Sequence, residues 1–192
     1  FKGLSPWMQK LPGGLIHVNV VGCALFAAIS GSSAATVATV GKMSIPELRK
    51  RNYPEKILLG SLAGSGTLGL LIPPSIILII YGVAVQESIA KLFIAGIVPG
   101  IMIALIFMFY VIIWSLINKK SMPKILEEYS FVEKIKRSKQ LLPVIILILA
   151  VIGSIYTGIA TATEAASLGV VGALTLSYFQ KSLTINTFKS SL

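Results

Sequence analysis

The chain has 192 residues, of which 55% are hydrophobic and only 12% are charged. Soluble domains carry about a quarter of charged residues, so this composition and the mean hydropathy of +0.86 indicate an integral membrane protein. The net charge is +10, but no basic face alternates with aromatic residues, so we expect no nucleic-acid partner. One cysteine and one histidine exclude a disulfide framework and a metal site of clustered cysteine and histidine.

The first apolar segment, residues 11–41, contains no Asp, Glu, Lys or Arg and is interrupted by "ISGSSAAT". A straight helix of about 29 residues would be roughly 43 Å long, more than the roughly 30 Å hydrocarbon core requires. A break at residues 30–33 predicts a re-entrant hairpin over about 11–41. This hairpin would place Lys2 and Lys10 on the same side as the basic residues that follow, although a full crossing stays open as the alternative.

Two basic connectors predict the topology of the next segments. Residues 42–56 contain five Lys and Arg, and residues 119–140 contain seven. Such connectors between apolar spans are typical of the cytoplasmic side. We therefore expect a broken helix over about 57–85 to leave the cytoplasm and a return helix over about 89–117 to come back.

The last two apolar segments predict another outward and inward pair, with helices over about 141–157 and 163–179. The turn between them reads "YTGIATATEAAS" and contains Glu164, an acidic residue without a basic neighbour in sequence. A carboxylate there favours a cap on a helix N-terminus. A role in handling ions or protons is the alternative.

A second interruption, "GSGTLGLLIPPS", lies inside the uncharged window before residue 86. Pro73 and Pro74 lack amide hydrogens, and their rings obstruct the helical carbonyls about four residues earlier, at Gly69 and Leu70. Free carbonyls and serine hydroxyls at membrane depth would form an uncharged oxygen cage, which favours a monovalent cation such as Na⁺ over a divalent one. Paired interruptions of this kind are typical of a transporter's binding site.

The small residues, the prolines and Ser30 also allow other interpretations. Small residues also line the contacts between membrane helices, and consecutive prolines also produce simple kinks. An intramembrane hydrolase would pair Ser30 as nucleophile with His17 as base. The sequence shows no orienting carboxylate for that pair, and we expect no enzyme.

The chain closely resembles the large membrane subunit of TRAP transporters, the tripartite ATP-independent periplasmic family. The matching stretches are "LPGGLIHVNVVGCALFAAISGSSAATVATVG", "IP" at residues 45–46, "LGLLIPPSIILIIYG", "LFIAGIVPGI" and "GIATATEAAS". The resemblance implies an all-α, polytopic membrane protein with the elevator-type fold of the ion transporter superfamily, built from inverted repeats that each carry a helical hairpin and a broken helix.

The resemblance also implies a function and partners. Members of the family are Na⁺-coupled importers of organic acids such as C4-dicarboxylates, sialic acid or other sugar acids, in the bacterial inner membrane. A periplasmic substrate-binding protein delivers the substrate, and a small membrane subunit completes the complex. The alternative is a passive channel or a noncatalytic membrane scaffold subunit.

Site residues follow from the same resemblance, position by position. It implies Na⁺ ligands in the hairpin and, through main-chain carbonyls, in the broken helix: Ser30, Ser33, Gly69, Ile72 and Pro74. It further implies substrate contacts at the head of the second arm, at Ser32 and Thr36.

The length differs from that of the family, whose members are roughly twice as long. We therefore expect residues 1–118 to form the end of the first repeat, residues 119–140 the basic connector, and residues 141–192 the start of the second repeat. The second hairpin and the second broken helix would then lie outside this chain, which begins with Phe1 rather than Met.

Overall fold

A computed structural model of the chain describes residues 3–123, 129–139, 141–179 and 184. Within these residues every regular element is helical, which confirms the predicted all-α class. The α-helices are α1 (Ser5–Met8), α2 (Ile16–Ser30), α3 (Ser33–Lys50), α4 (Glu55–Gly66), α5 (Ile76–Val85), α6 (Ile89–Ile117), α7 (Phe131–Ser138), α8 (Leu142–Tyr156) and α9 (Ala162–Phe179). The chain divides into two compact units, Phe1–Gln140 and Leu141–Leu192.

Helices α2 and α3 form an antiparallel hairpin that turns at Gly31. A β-carbon built on Gly22 would lie 3.6 Å from Cγ1 of Val40, and these two positions are equally far from the turn. Gly31 has a φ of 59°, a left-handed conformation that ends α2 and that glycine adopts without the usual steric cost. Ser32 then begins α3, because its side chain accepts a hydrogen bond from the amide of Ala35.

We expected the hairpin to span about residues 11–41, with a second arm that could extend into the polar segment after it. This arm continues to Lys50, because the charged residues after Gly41 lie on exposed helical positions and do not interrupt the helix. Pro46 lies inside this arm.

The predicted broken helix is α4, a 3₁₀ turn at Thr67–Leu70, and α5. Helix α4 runs parallel to α2 and antiparallel to α3. Asn19 in α2 donates to Ser61 Oγ in α4 at 3.0 Å, and a β-carbon on Gly41 in α3 would lie 2.9 Å from Cδ2 of Leu62. The hairpin therefore rests along α4, and its tip meets the break that follows.

Two apolar clusters hold the first unit together. The larger one joins the base of the hairpin to α4 and α6, and the smaller one joins the middle of the hairpin to α4. Their buried members are Leu15, Ile16, Val18, Leu48, Ile57, Leu58 and Val111 in the first, and Cys23, Val40 and Leu62 in the second.

Helix α6 has 29 residues and a length of about 43 Å. Among the described residues it is the one helix that is by itself long and apolar enough to cross a membrane. It exposes large apolar side chains, including Val98 (70%) and Ile117 (77%). Such a surface suits a helix surrounded by lipid or by other membrane helices.

In the second unit, α8 and α9 pack against each other as an antiparallel pair. A β-carbon on Gly169 in α9 would lie 3.4 Å from Cγ2 of Val151 in α8. Gly158, with a φ of 72°, lies in the turn that joins them. The assignment of these helices to a second repeat stays a prediction.

Candidate functional site

The hairpin tip is a small network of hydroxyl groups. The hydroxyls of Ser30 and Thr36 are hydrogen-bonded to each other at 2.9 Å, and both lie within hydrogen-bond distance of the carbonyl of Ser32, at 3.3 Å and 2.7 Å. Ser30 Oγ also lies 3.4 Å from the amide of Ser32, from which it accepts. Thr36 is fully buried. The tip therefore presents oxygen atoms whose positions are fixed by bonds to one another.

The tip and the break approach each other backbone to backbone. A β-carbon on Gly69 would lie 2.8 Å from the carbonyl carbon and 2.9 Å from the carbonyl oxygen of Ser32. On the other side, a β-carbon on Gly31 would lie 2.6 Å from the carbonyl oxygen of Pro74. The amide of Ile76 donates to the carbonyl of Gly31 at 3.3 Å. Glycine is required at both positions because no side chain fits between these backbones.

The two prolines leave fewer free acceptors than the sequence suggested. We expected the carbonyls of Gly69 and Leu70 to lack donors, but Ser75 Oγ donates to the carbonyl of Leu70 at 2.6 Å. The same hydroxyl accepts from the amide of Leu78 and begins α5. A proline at position 73 has no amide hydrogen for the carbonyl of Gly69, which is four residues earlier.

Ser33 contributes a buried hydroxyl to the hairpin tip. Its Oγ is inaccessible to solvent and has no hydrogen-bond partner among the described residues, and its amide lies 2.9 Å from the β-carbon position of Gly69. An unpaired buried hydroxyl costs about 1–3 kcal/mol. The junction thus combines neutral oxygen atoms with one unsatisfied hydroxyl. Such a set of oxygens fits a monovalent cation, because a divalent cation normally needs carboxylate ligands.

The predicted cation ligands lie in two segments that the structure brings into contact. The amide of Ser33 lies at the β-carbon position of Gly69, and the carbonyl of Pro74 lies at the β-carbon position of Gly31, the residue after Ser30. Ile72 lies in the same break, with its Cα 3.7 Å from the β-carbon position of Gly100 in α6.

The two predicted substrate residues differ in exposure. Ser32 is half-buried, and its hydroxyl accepts from the amide of Ala35 at 3.4 Å. Thr36 is buried, and its hydroxyl is committed to Ser30 and Ser32. Ser32 is therefore the more accessible of the two.

Our sequence reasoning missed Asn19, a fully buried amide between α2 and α4. Its Nδ2 donates to the carbonyl of Leu58 at 3.2 Å and to Ser61 Oγ at 3.0 Å. Its Oδ1 has no partner within the part of the chain that the structure describes. Ser65, one turn further along α4, donates to the carbonyl of Ser61 at 2.6 Å. The sequence did contain a signal, since Asn19 is the one amide side chain in the uncharged window of residues 11–41.

The geometry does not support a hydrolase. His17 and Ser30 lie at opposite ends of α2, thirteen residues and about 20 Å apart. The Nε2 of His17 donates to the carbonyl of Pro12 at 2.8 Å. A serine nucleophile needs its base within hydrogen-bond reach, so these two residues cannot act as a pair.

Glu164 caps the first turn of α9. Its Oε2 accepts from the amide and from the hydroxyl of Thr161, each at 2.8 Å, and its own amide lies 3.3 Å from Thr161 Oγ1. This reciprocal arrangement is a capping box. Of the two interpretations of Glu164, the structure therefore supports the helix cap.

Comparison with known proteins connects this geometry to a family. Residues 8–192 match the model of the tripartite ATP-independent periplasmic transporter DctM component. The chain is 41% identical over 160 residues to the C4-dicarboxylate TRAP transporter large permease protein DctM of Pseudomonas aeruginosa, covering 83% of this chain and 36% of that protein. It is 38% identical over 188 residues to the protein of the same name from Rhodobacter capsulatus, covering 90% and 42%.

A third relative has a different substrate in its name. The chain is 36% identical over 180 residues to the sialic acid TRAP transporter permease protein SiaT of Haemophilus influenzae, covering 93% of this chain and 29% of that protein. The chain thus spans less than half the length of these relatives. With a family model that matches nearly all of it and relatives of this similarity, the chain belongs to the large permease component of the tripartite ATP-independent periplasmic transporters, a family of integral membrane proteins.

Proposed function

We propose that this chain is part of the permease subunit of a Na⁺-coupled importer of organic acids. The observation that carries this proposal is the junction of the hairpin tip with the broken helix, where the amide of Ser33 lies against Gly69 and the Ser33 hydroxyl is buried without a partner among the described residues. The names of relatives that carry C4-dicarboxylates and sialic acid support an organic acid as the substrate class.

In the proposed site, Na⁺ binds to hydroxyls of the tip and to main-chain carbonyls of the break. Ser30 and Ser33 supply the hydroxyls, and Gly69, Ile72 and Pro74 supply the carbonyls. A cation there gives Ser33 Oγ the partner that it lacks and draws the tip and the break together. It also places positive charge beside the N-terminus of α3, where backbone amides already favour an anion.

The substrate's acid group would bind next to this cation. Ser32 and Thr36 are the proposed contacts, with Ser32 the better placed because it is half-buried rather than buried. The proposed assembly includes a periplasmic substrate-binding protein and a small membrane subunit. It lies in the bacterial inner membrane, with the multi-pass elevator fold and inverted repeats completed by the remainder of the protein.

The Ser33→Ala substitution tests the cation site by thermal unfolding of the complete transporter across a Na⁺ titration. Without Na⁺ the variant should be as stable as the wild type or more stable, because an unsatisfied hydroxyl is removed. Its stabilisation by Na⁺ should require roughly 5- to 150-fold more Na⁺, corresponding to about 1–3 kcal/mol.

The matched control is Ser44→Ala. Ser44 Oγ is also buried and unpaired, but it lies about 16 Å further along α3 from Ser33. This variant should gain stability with an unchanged response to Na⁺. An unchanged Na⁺ response in Ser33→Ala as well would remove Ser33 from the site.

Uptake by the complete complex in proteoliposomes tests the coupling itself. Accumulation of the organic acid should saturate, require the soluble binding protein, and disappear when external K⁺ replaces Na⁺. A flux that rises linearly with substrate concentration and does not depend on Na⁺ would instead identify a passive channel.

A further inference from the structure

Helix α7 carries an apolar face that stays exposed. The side chains of Phe131, Val132 and Ile135 are 66%, 72% and 45% exposed. At 100° per residue these three positions fall within one third of the helix circumference. Such a face on an isolated short helix is an interaction surface rather than part of a core.

Charged residues border this apolar face on both sides. Lys134 and Lys136 flank it, whereas Glu133 lies on the opposite side of the helix by the same 100° spacing. Lys139 follows directly as the C-terminal cap and is exposed. Lysines at the edges of an apolar face place their stems on hydrocarbon and their ammonium groups among headgroups.

Contacts with α1 fix how α7 is turned. Trp7 packs edge-on against Phe131 with ring centroids 6.3 Å apart, and its Nε1 donates to Ser138 Oγ at 2.8 Å. Lys134 Nζ lies 5.5 Å from the centre of the Trp7 ring. Trp7 covers only the Phe131 edge of the face, so Val132 and Ile135 stay exposed.

The position of α7 in the chain specifies what it meets. Thirteen residues separate it from α6, the helix long enough to cross a membrane, and three residues separate it from the apolar α8. With eight residues it is about 12 Å long, too short to cross. A short amphipathic helix between membrane helices, with lysines at its edges, lies in the plane of the interface.

We propose that α7 is an interfacial anchor that inserts Phe131, Val132 and Ile135 into the cytoplasmic leaflet and binds anionic lipid headgroups through Lys136 and Lys139. Charge complementarity favours lipid over a protein partner, because Lys136 borders the apolar side chains and Lys139 follows them at the C-terminal end of the helix. The contact of α7 with Trp7 supports a position at the membrane interface, since tryptophan is enriched there. This anchor goes beyond the proposed transport function and does not depend on Na⁺ coupling.

Accessibility of nitroxide spin labels tests the anchor in the complete transporter, reconstituted in nanodiscs of phosphatidylcholine with or without 30% phosphatidylglycerol. A label at Val132→Cys should be reached by oxygen and shielded from the water-soluble nickel reagent NiEDDA. The matched control, Glu133→Cys on the opposite side of the same helix, should show the reverse. The one cysteine of this chain, Cys23, is buried.

The lipid arm of the experiment tests the lysines. Each lysine near an anionic surface favours the immersed state about fivefold, so Lys136→Gln with Lys139→Gln should lower the ratio of immersed to water-exposed label about 25-fold. This loss should occur in discs with phosphatidylglycerol and not in phosphatidylcholine alone. Lys136→Arg with Lys139→Arg keeps the charges and should keep the ratio.

Three results would overturn the proposal. A label at Val132→Cys shielded from both oxygen and NiEDDA would show that protein covers the face. A label reached by NiEDDA would show that the face lies in water. If neither the anionic lipid nor the lysine substitutions changed the ratio of immersed to water-exposed label, α7 would not bind anionic headgroups.

Discussion

The Gly69→Ala substitution tests whether the hairpin tip and the break must touch. The added β-carbon would lie 2.8 Å from the carbonyl carbon of Ser32, whereas ordinary van der Waals contact begins at 3.4 Å. The two backbones must therefore separate by about 0.6 Å, and overpacking of this kind costs typically 1–3 kcal/mol. Because the neighbouring atoms belong to the backbone, no side-chain rotation relieves the clash.

This cost should appear in the response to Na⁺. In uptake assays on the complete complex, Gly69→Ala should raise the Na⁺ concentration for half-maximal rate by roughly 5- to 150-fold, the equivalent of that free energy. Gly60→Ala is the matched control, since a β-carbon there meets nothing within 4 Å; it should leave the Na⁺ dependence unchanged. Wild-type Na⁺ dependence in Gly69→Ala would refute the close contact between tip and break as a requirement for the site.

The remaining predictions concern stability, measured by thermal or denaturant unfolding. Asn19→Ala should cost about 1–3 kcal/mol, because it removes two buried hydrogen bonds and leaves the carbonyl of Leu58 with one donor fewer. Glu164→Ala should cost about 1 kcal/mol through loss of the capping box in α9; an unchanged midpoint would reject either role. Arg49 lowers the pKa of Glu55 by a hydrogen bond and by its charge, so the pair stabilises the fold above the ordinary carboxyl pKa of about 4.3 and loses this contribution as pH falls through the lowered value. Arg49→Gln should therefore abolish this loss of stability at acid pH. An unaltered dependence of stability on pH would show that the pair makes no such contribution.

Local signals predicted the interruptions because glycine and proline act on their own backbone. Gly31 ends α2 through its left-handed conformation, and the prolines at 73 and 74 separate α4 from α5 without help from distant residues. The second arm of the hairpin extends through the charged residues after Gly41 to Lys50, because lysine and arginine are good helix formers on an exposed face.

Pairings between distant segments could not be predicted from one sequence. Asn19 bonds to Ser61, 42 residues later, and nothing near Asn19 identifies that partner. The hydroxyl of Thr36 is a different case, since threonine in a first helical turn commonly donates back to the carbonyl four residues earlier. The bond from Thr36 to Ser32 follows this local rule, so the sequence alone is sufficient to predict it.

Ser75 reduces the number of carbonyls that the two consecutive prolines leave without a donor from two to one. Without amide hydrogens at positions 73 and 74, the carbonyls of Gly69 and Leu70 lose their helical donors. The Ser75 hydroxyl satisfies the carbonyl of Leu70 at 2.6 Å and at the same time begins α5. The carbonyl of Gly69 has no comparable side-chain donor among the described residues, and the β-carbon position of Gly69 lies against the hairpin tip. Of the two carbonyls that the prolines free, that of Gly69 is therefore the one available to the cation site that we propose.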